Sequence, residues 1–419
     1  MTAVAARPRT APGAKTPIAL GIFALLAVLL LVVFARDGVS TFTLSASEPG
    51  AVQLPSIPLP VRPVGIAIAV AAVVLSVVAG LLVRAGRRVP RWFVVVFAVL
   101  LVVGFLAWAT AGQRLPVVGL LEGSLALAAP LIFGALGGVV SERVGVVNIA
   151  IEGQLLAGAF TSAIVASVTK SLLAGLVAAV VAGVLVSFVL AAFAIKYVVN
   201  QVIVGVVLNV LVLGLTTFLF ETVLVNASDT LNSPPTFTNL AIPGLSLIPI
   251  LGPVLFDQSV VTYLMIVAVV VVWLGLTRTR WGLRLRAVGE HPQAADTVGI
   301  DVGRTRFWNV SLAGAIVGLG GAYFTLGSVG AFSQNMTSGA GYIALAAVIF
   351  GRWDPIRASL ARLLFGFASQ VANILGIVGS PVPSDVLLTL PYVVTIFAVA
   401  GLVGSVRGPA AAGRPYVKG

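Results

Sequence analysis

A few polar side chains interrupt otherwise apolar stretches of the sequence, and their types suit hydrogen bonding to a solute. They are Asn148, Glu152, Gln154, Asn209, Gln370 and Asn373. Gln370 and Asn373 are three residues apart and share a helix face with Phe367, which places amide groups beside an aromatic ring. Such a surface would suit a polar solute that carries a ring. We therefore predict that these seven residues lie along a substrate pathway.

A second interpretation of the same residues stays open. Amide side chains inside a membrane often bond from helix to helix and hold a bundle together without touching a ligand. Glu152, like Glu122 and Glu221, lies near a predicted helix end, where water or lipid headgroups can solvate a carboxylate. Because the predicted spans otherwise hold almost no ionisable residues, an ion-coupled carrier is disfavoured.

Residues for covalent or metal chemistry are scarce in this sequence. Cysteine is absent and His291 is the single histidine, so neither a thiol nucleophile nor a histidine metal cluster can form. No lysine lies in a Gly-x-x-x-x-Gly-Lys-Ser/Thr loop, the motif that cradles ATP phosphates. The sequence predicts no catalytic residue, no metal site and no cofactor in this chain, so another subunit must supply energy.

The elements that position these residues are membrane-spanning helices. Of the 419 residues, 59% are hydrophobic and only 9% are charged, with a mean hydropathy of +1.13. Runs of about 20 apolar residues recur, each long enough to cross the hydrocarbon as a helix. We predict an all-α polytopic bundle of about 10–12 transmembrane helices. The predicted spans are 17–35, 64–83, 92–111, 120–140, 147–168, 171–195, 201–220, 260–276, 307–329, 360–378 and 386–403, with a shorter, broken or re-entrant piece at 341–351.

The distribution of basic residues predicts the orientation. Arg84, Arg87, Arg88 and Arg91 separate two spans, and a second basic segment runs from 278 to 306. Short basic loops stay in the cytoplasm, which also explains the net charge of +12 without a nucleic-acid partner. The polar stretch 226–239 has no Lys or Arg and fits the outside. We expect a multi-pass protein of the plasma membrane, surrounded by lipid, with both termini in the cytoplasm.

The basic segment contains one short predicted helix. Pro292 suits a helix start, Ala294 and Ala295 favour helix, and Gly299 can end it. A helix of two turns is not stable alone in water, so we expect it to dock against a partner; an ordered loop without a partner is the alternative. We predict that Glu290, His291, Pro292, Ala294, Ala295 and Gly299 form a coupling surface for a partner.

The residues 129–154 carry a resemblance to a known family. Ser141-Glu-Arg, Gly145-Val-Val-Asn148-Ile and Glu152-Gly153 are similar to a signature of ABC importer permeases of the branched-chain amino acid and simple-sugar class. Within that class the run most resembles nucleoside permeases. The resemblance covers residues 115–405. It leaves residues 1–114 as an extension with about three spans, and residues 406–419 as a cytoplasmic tail.

The resemblance implies a function and a set of partners. The chain would translocate a small polar solute, a nucleoside, by ATP-driven alternating access, with the 289–300 helix coupled to an ATP-binding subunit that holds ATP and Mg. A second, nonidentical permease and a substrate-binding lipoprotein would complete the system. Sugar or branched-chain amino acid transport, a proton-coupled carrier and a nontransporting scaffold are the alternatives, because a shared fold does not determine the ligand.

Overall fold

The computed structural model describes residues 15–45, 53–402 and 407–418. Arg7 and Arg9, at the predicted cytoplasmic N-terminus, lie outside the described residues, as does Val403, the predicted end of the last span. The described chain is mostly helical, with almost no sheet, as the sequence predicts.

Ten helices of the described residues are long and apolar enough to cross a membrane. They are α1 (Lys15–Val33), α2 (Val61–Arg84), α3 (Arg91–Ala109), α4 (Val117–Arg143), α5 (Ile151–Thr169), α6 (Leu172–Lys196), α7 (Gln201–Leu224), α9 (Val260–Arg278), α12 (Val302–Val329) and α14 (Pro355–Val378). The remaining α-helices are α8 (Ser228–Leu231), α10 (Arg280–Glu290), α11 (Pro292–Thr297), α13 (Ala340–Phe350) and α15 (Ser384–Leu402), and Gly252–Phe256 forms a π-helical turn. The all-α polytopic fold is confirmed.

Five short strands accompany the helices. Strand β1 (Val39–Thr43) pairs antiparallel with β2 (Ile57–Pro60) and parallel with β3 (Arg114–Pro116). Strands β4 (Asn239–Ala241) and β5 (Asp257–Ser259) form an antiparallel pair. All five lie in connections between helices.

The chain divides into two compact units. The first comprises the described residues up to Leu120 together with Val371–Leu402. In it α2 packs against α1 and α3, and apolar side chains such as Leu20, Ala72 and Phe97 form its core. The outward faces of α1–α3 are apolar, which suits contact with lipid.

The second unit, Leu121–Gln370 with the C-terminal segment, holds the candidate site. Its centre is the crossing of α5, α6 and α12. At Gly318 an added Cβ would overlap the carbonyl oxygen of Ala179 on α6, and Gly158 on α5 faces the same point. The small residues let three backbones approach closely.

Candidate translocation site and coupling surface

In the second unit, one crossing of the bundle is made by the non-helical residues 331–339 followed by the short helix α13, which we call the half-helix. Before it, Phe332 exchanges hydrogen bonds with Asn232 of the connection after α7, with N–O distances of 2.7 and 2.9 Å. After it, the Trp353 indole donates to Glu142, at the far end of α4. The chain therefore passes from one end of the bundle to the other through 331–339 and α13. The 11 residues of α13 span only about 16 Å, half the hydrocarbon thickness.

Glu152 holds the start of this half-helix. Its carboxylate accepts hydrogen bonds from the Thr337 hydroxyl at 2.6 Å, from the Gly339 N–H at 2.8 Å and from the Gly341 N–H at 2.6 Å. A carboxylate at a helix N-terminus satisfies backbone donors and offsets the positive end of the helix dipole. Glu152 is buried and stabilises the start of α13 in this conformation. Its carboxylate occupies the position at the helix N-terminus where a bound anion would otherwise lie.

A cavity of about 200 Å³ lies beside the start of α13. The hydroxyl-bearing residues that line it are Tyr323, Ser328, Thr337, Ser338 and Ser369. The rest of the wall is mainly apolar and includes Phe324 and Phe365. Pro130 also lines the wall, and because it has no N–H, the carbonyl of Ala126 lacks its usual helical donor.

This mixture of groups can bind an uncharged ring-bearing solute. Aromatic side chains stack on a ring, while hydroxyls and a backbone carbonyl fix its orientation. Ligand pockets usually measure roughly 300–1,000 Å³. The cavity must therefore widen, or be completed by another subunit, before it can enclose such a solute.

Three of the sequence-predicted pathway residues form bonds between elements. The Asn148 amide donates to Gln154 at 3.0 Å, and Gln154 donates to the Ser187 hydroxyl on α6 at 2.9 Å. Asn209 on α7 accepts from the Gly153 N–H at 2.8 Å and donates to the Ile149 carbonyl at 2.9 Å and the Tyr342 hydroxyl at 3.1 Å. All three are buried, and none lines the cavity. Their contacts match the interhelical interpretation.

Phe367, Gln370 and Asn373 lie on α14 but not on the cavity wall. Phe367 and Gln370 are half-buried, with Gln370 packed against Gly123 of α4, whereas Asn373 is exposed. The wall instead takes Phe365 and Ser369, one helical turn apart on another face of α14. The sequence analysis missed this face because nothing in the pattern showed which side of α14 meets the half-helix. The spacing of Phe365 and Ser369 is the signal that could have found it.

The predicted coupling residues surround α11 in the basic segment. His291 precedes the helix, Pro292 begins it, and Gly299 follows it with a left-handed backbone (φ 87°) and an N–H that donates to the Asp296 carbonyl. Ala295 is buried in the chain's own core. Glu290, His291, Ala294 and Gly299 are exposed to solvent.

Comparison with known proteins identifies the family. A family model described as the branched-chain amino acid transport system permease component matches residues 120–405. The chain belongs to this family. The half-helix, the cavity and α11 all lie within the matched residues, and the extension with α1–α3 lies before them.

Several relatives of this permease are named as nucleoside transporter proteins. The guanosine ABC transporter permease protein NupQ of Bacillus subtilis is 41% identical over 71% of this chain and 95% of its own length. The nucleoside ABC transporter permease protein NupC of Lactococcus lactis is 37% identical over 69% of this chain and 93% of its own length. NupB of the same species, also a nucleoside permease protein, is 29% identical over 35% of this chain and 40% of its own length. No solved structure matches significantly. The chain is thus a multi-pass permease subunit of an ABC transporter.

Proposed function

We propose that this permease imports a nucleoside, with guanosine as the first candidate, across the plasma membrane. The observation that carries the proposal is the cavity beside the half-helix, whose wall combines Phe324 and Phe365 with hydroxyl groups. The names of NupQ and NupC supply the solute class. Because Glu152 already occupies the helix N-terminus, the cavity favours an uncharged nucleoside over a nucleotide.

The energy would come from a separate ATP-binding subunit that holds ATP and Mg and docks on the exposed face of α11. ATP binding and hydrolysis there would move α11, and the bundle would open alternately to each side. A second, nonidentical permease would face the cavity, and a binding lipoprotein would deliver the nucleoside from outside. NupB and NupC, two permease proteins of one species, support pairing of unlike permeases.

The test of this function is uptake of labelled guanosine into proteoliposomes that contain the assembled transporter and internal ATP. We expect uptake to require ATP and to be inhibited by unlabelled nucleosides but not by ribose, leucine or guanosine monophosphate. Inhibition by ribose or leucine would overturn the nucleoside assignment. Uptake that does not depend on ATP but is lost when the proton gradient is dissipated would overturn the ABC mechanism.

Two variant sets locate the solute. Ser369→Ala removes a hydroxyl from the cavity wall and is expected to raise the KM for guanosine about fivefold, the equivalent of one lost hydrogen bond. Gln370→Leu and Asn373→Leu change the neighbouring face of α14 and should leave the KM close to that of the wild type. If these two variants raise the KM and Ser369→Ala does not, the solute follows the face predicted from the sequence.

A further inference from the structure

The C-terminal segment 407–418 lies against the end of α10, directly before α11. The Ala411 N–H donates to the Gly289 carbonyl at 2.9 Å, and the Ala410 N–H donates to the Glu290 carboxylate at 3.2 Å. Ala411 is buried, whereas the adjacent Ala410 is exposed. The segment therefore adds backbone hydrogen bonds at the point where the chain turns from α10 into α11.

The same segment bonds to α11 itself. The Lys418 ammonium lies 3.6 Å from the Asp296 carboxylate, and Tyr416 lies near the same side chain. Asp296 is in the last turn of α11, so the segment contacts the helix at its far end as well. A six-residue helix has too few internal bonds to persist alone, which makes these outside contacts important for its position.

Further contacts connect the segment to two spanning helices. The Gly413 N–H donates to the Gly145 carbonyl, in the turn between α4 and α5, at 3.3 Å. The guanidinium of Arg306, in the first turns of α12, donates to the Arg414 carbonyl at 3.0 Å. At Gly289 the backbone of α10 lies close to the end of α4, because an added Cβ there would overlap the Arg143 carbonyl oxygen. The segment thus joins the ends of α4, α10, α11 and α12 within one unit.

We propose that segment 407–418 is a strap that holds α11 in the position in which the ATP-binding subunit docks, and that ties α11 to α4 and α12. The proposal rests on the proposed function, because it assigns α11 to the ATP-binding subunit. It goes beyond the family, because the family match ends at residue 405, before the strap begins. When the docked subunit moves α11, the strap moves with it and passes the displacement to the ends of α4 and α12.

The test is a matched pair of substitutions in adjacent alanines. Ala411→Leu overpacks the buried contact with α10, while Ala410→Leu adds the same side chain on the exposed side. The affinity tag is placed at the N-terminus, so that no residues are added to the strap. The measurements are the amount of permease in the membrane, the amount of coexpressed ATP-binding subunit that copurifies, and guanosine uptake.

We expect Ala411→Leu to lower the captured ATP-binding subunit roughly tenfold at unchanged permease abundance, in line with an ordinary overpacking cost. Ala410→Leu should capture the subunit like the wild type. A second test exchanges charges: Lys418→Asp should weaken capture, and adding Asp296→Lys should restore it.

Ala294→Asp, on the exposed face of α11, separates failure of the strap from failure of the proposed function. If Ala294→Asp prevents capture but Ala411→Leu and Lys418→Asp do not, the strap proposal is overturned and docking at α11 stands. If Ala294→Asp also captures the subunit normally, the assignment of α11 itself is overturned.

Discussion

Glu152 is a buried carboxylate at the start of the half-helix α13. Its carboxylate binds two backbone N–H groups and a hydroxyl at the start of α13. The sequence analysis identified Glu152 as a pathway residue and noted that it lies near a helix end. Its partners could not be predicted, because they come from 337–341, almost 190 residues away in the chain.

Replacing Glu152 by Gln tests this interpretation. An amide offers one acceptor oxygen, so at least one backbone donor loses its partner and the helix end loses its compensating charge. We expect a loss of about 2–4 kcal/mol in stability, combining a charged hydrogen bond with the dipole interaction. Thermal unfolding of the purified permease measures this loss.

The matched control is Asp229→Asn, which removes one carboxylate from an exposed position in α8. It should leave the unfolding temperature unchanged. If Glu152→Gln unfolds like the wild type but no longer binds guanosine, Glu152 contacts the solute directly, and its role at the helix start is secondary.

Arg362, unlike Glu152, is a buried charge with few contacts that offset its loss of hydration. It is fully buried in α14, and no atom of the described residues accepts a hydrogen bond from its guanidinium. The group lies over the Phe365 ring, 5.4 Å from the ring centre. A desolvated cation–π contact contributes about 2 kcal/mol, whereas burying a charge costs several kcal/mol.

The cost exceeds the gain, so we expect Arg362→Met, which keeps a long unbranched side chain, to raise the unfolding temperature of the isolated permease. Arg362→Lys keeps the charge and should not raise it. A lower unfolding temperature for Arg362→Met would show that the guanidinium has a partner in the folded protein and contributes to its stability.

At the scale of helices, hydropathy predicted the spans well and their ends less well. The predicted spans 307–329 and 360–378 begin five residues late, since α12 starts at Val302 and α14 at Pro355. Arg304, Arg306 and Arg357 interrupt the apolar runs there, although the backbone is already helical. The strands were missed, because three to five residues in a loop carry no clear alternation.

The glycine crossing of α5, α6 and α12 gives a prediction at this scale. Gly318→Ala places a methyl group against the Ala179 carbonyl and is expected to lower the amount of folded permease severalfold. Gly214→Ala, on α7, meets no atom within 4 Å and should be neutral or slightly stabilising, because alanine favours helix by about 1 kcal/mol. Quantitative blotting of membranes and thermal unfolding measure both variants. Equal behaviour of the two variants would contradict the close crossing.

At the scale of the whole molecule, the candidate site depends on residues far apart in sequence. The cavity wall draws on α4, α12, α13, α14 and the segment before α13. Composition and hydropathy predicted the membrane fold, and the 129–154 run predicted the family. Neither could predict the cavity. In the sequence, its serine and threonine residues cannot be told from the many that hydrogen-bond within their own helices, as Ser141 and Thr161 do.

The orientation of the chain is the last prediction. Basic loops stay on the cytoplasmic side, so the turn between α2 and α3, which contains Arg87, and the strap should face the cytoplasm, and the connection after α7 should face outside. The chain has no cysteine, so single cysteines can report each side without background. We expect Asp229→Cys to react with a membrane-impermeant maleimide on intact cells. Arg87→Cys and Val417→Cys should react only after permeabilisation. Labelling of Arg87→Cys on intact cells would show that the orientation is the reverse of the predicted one. The predicted topology puts α11 on the same side of the membrane as this turn, so α11 would then be out of reach of a cytoplasmic ATP-binding subunit.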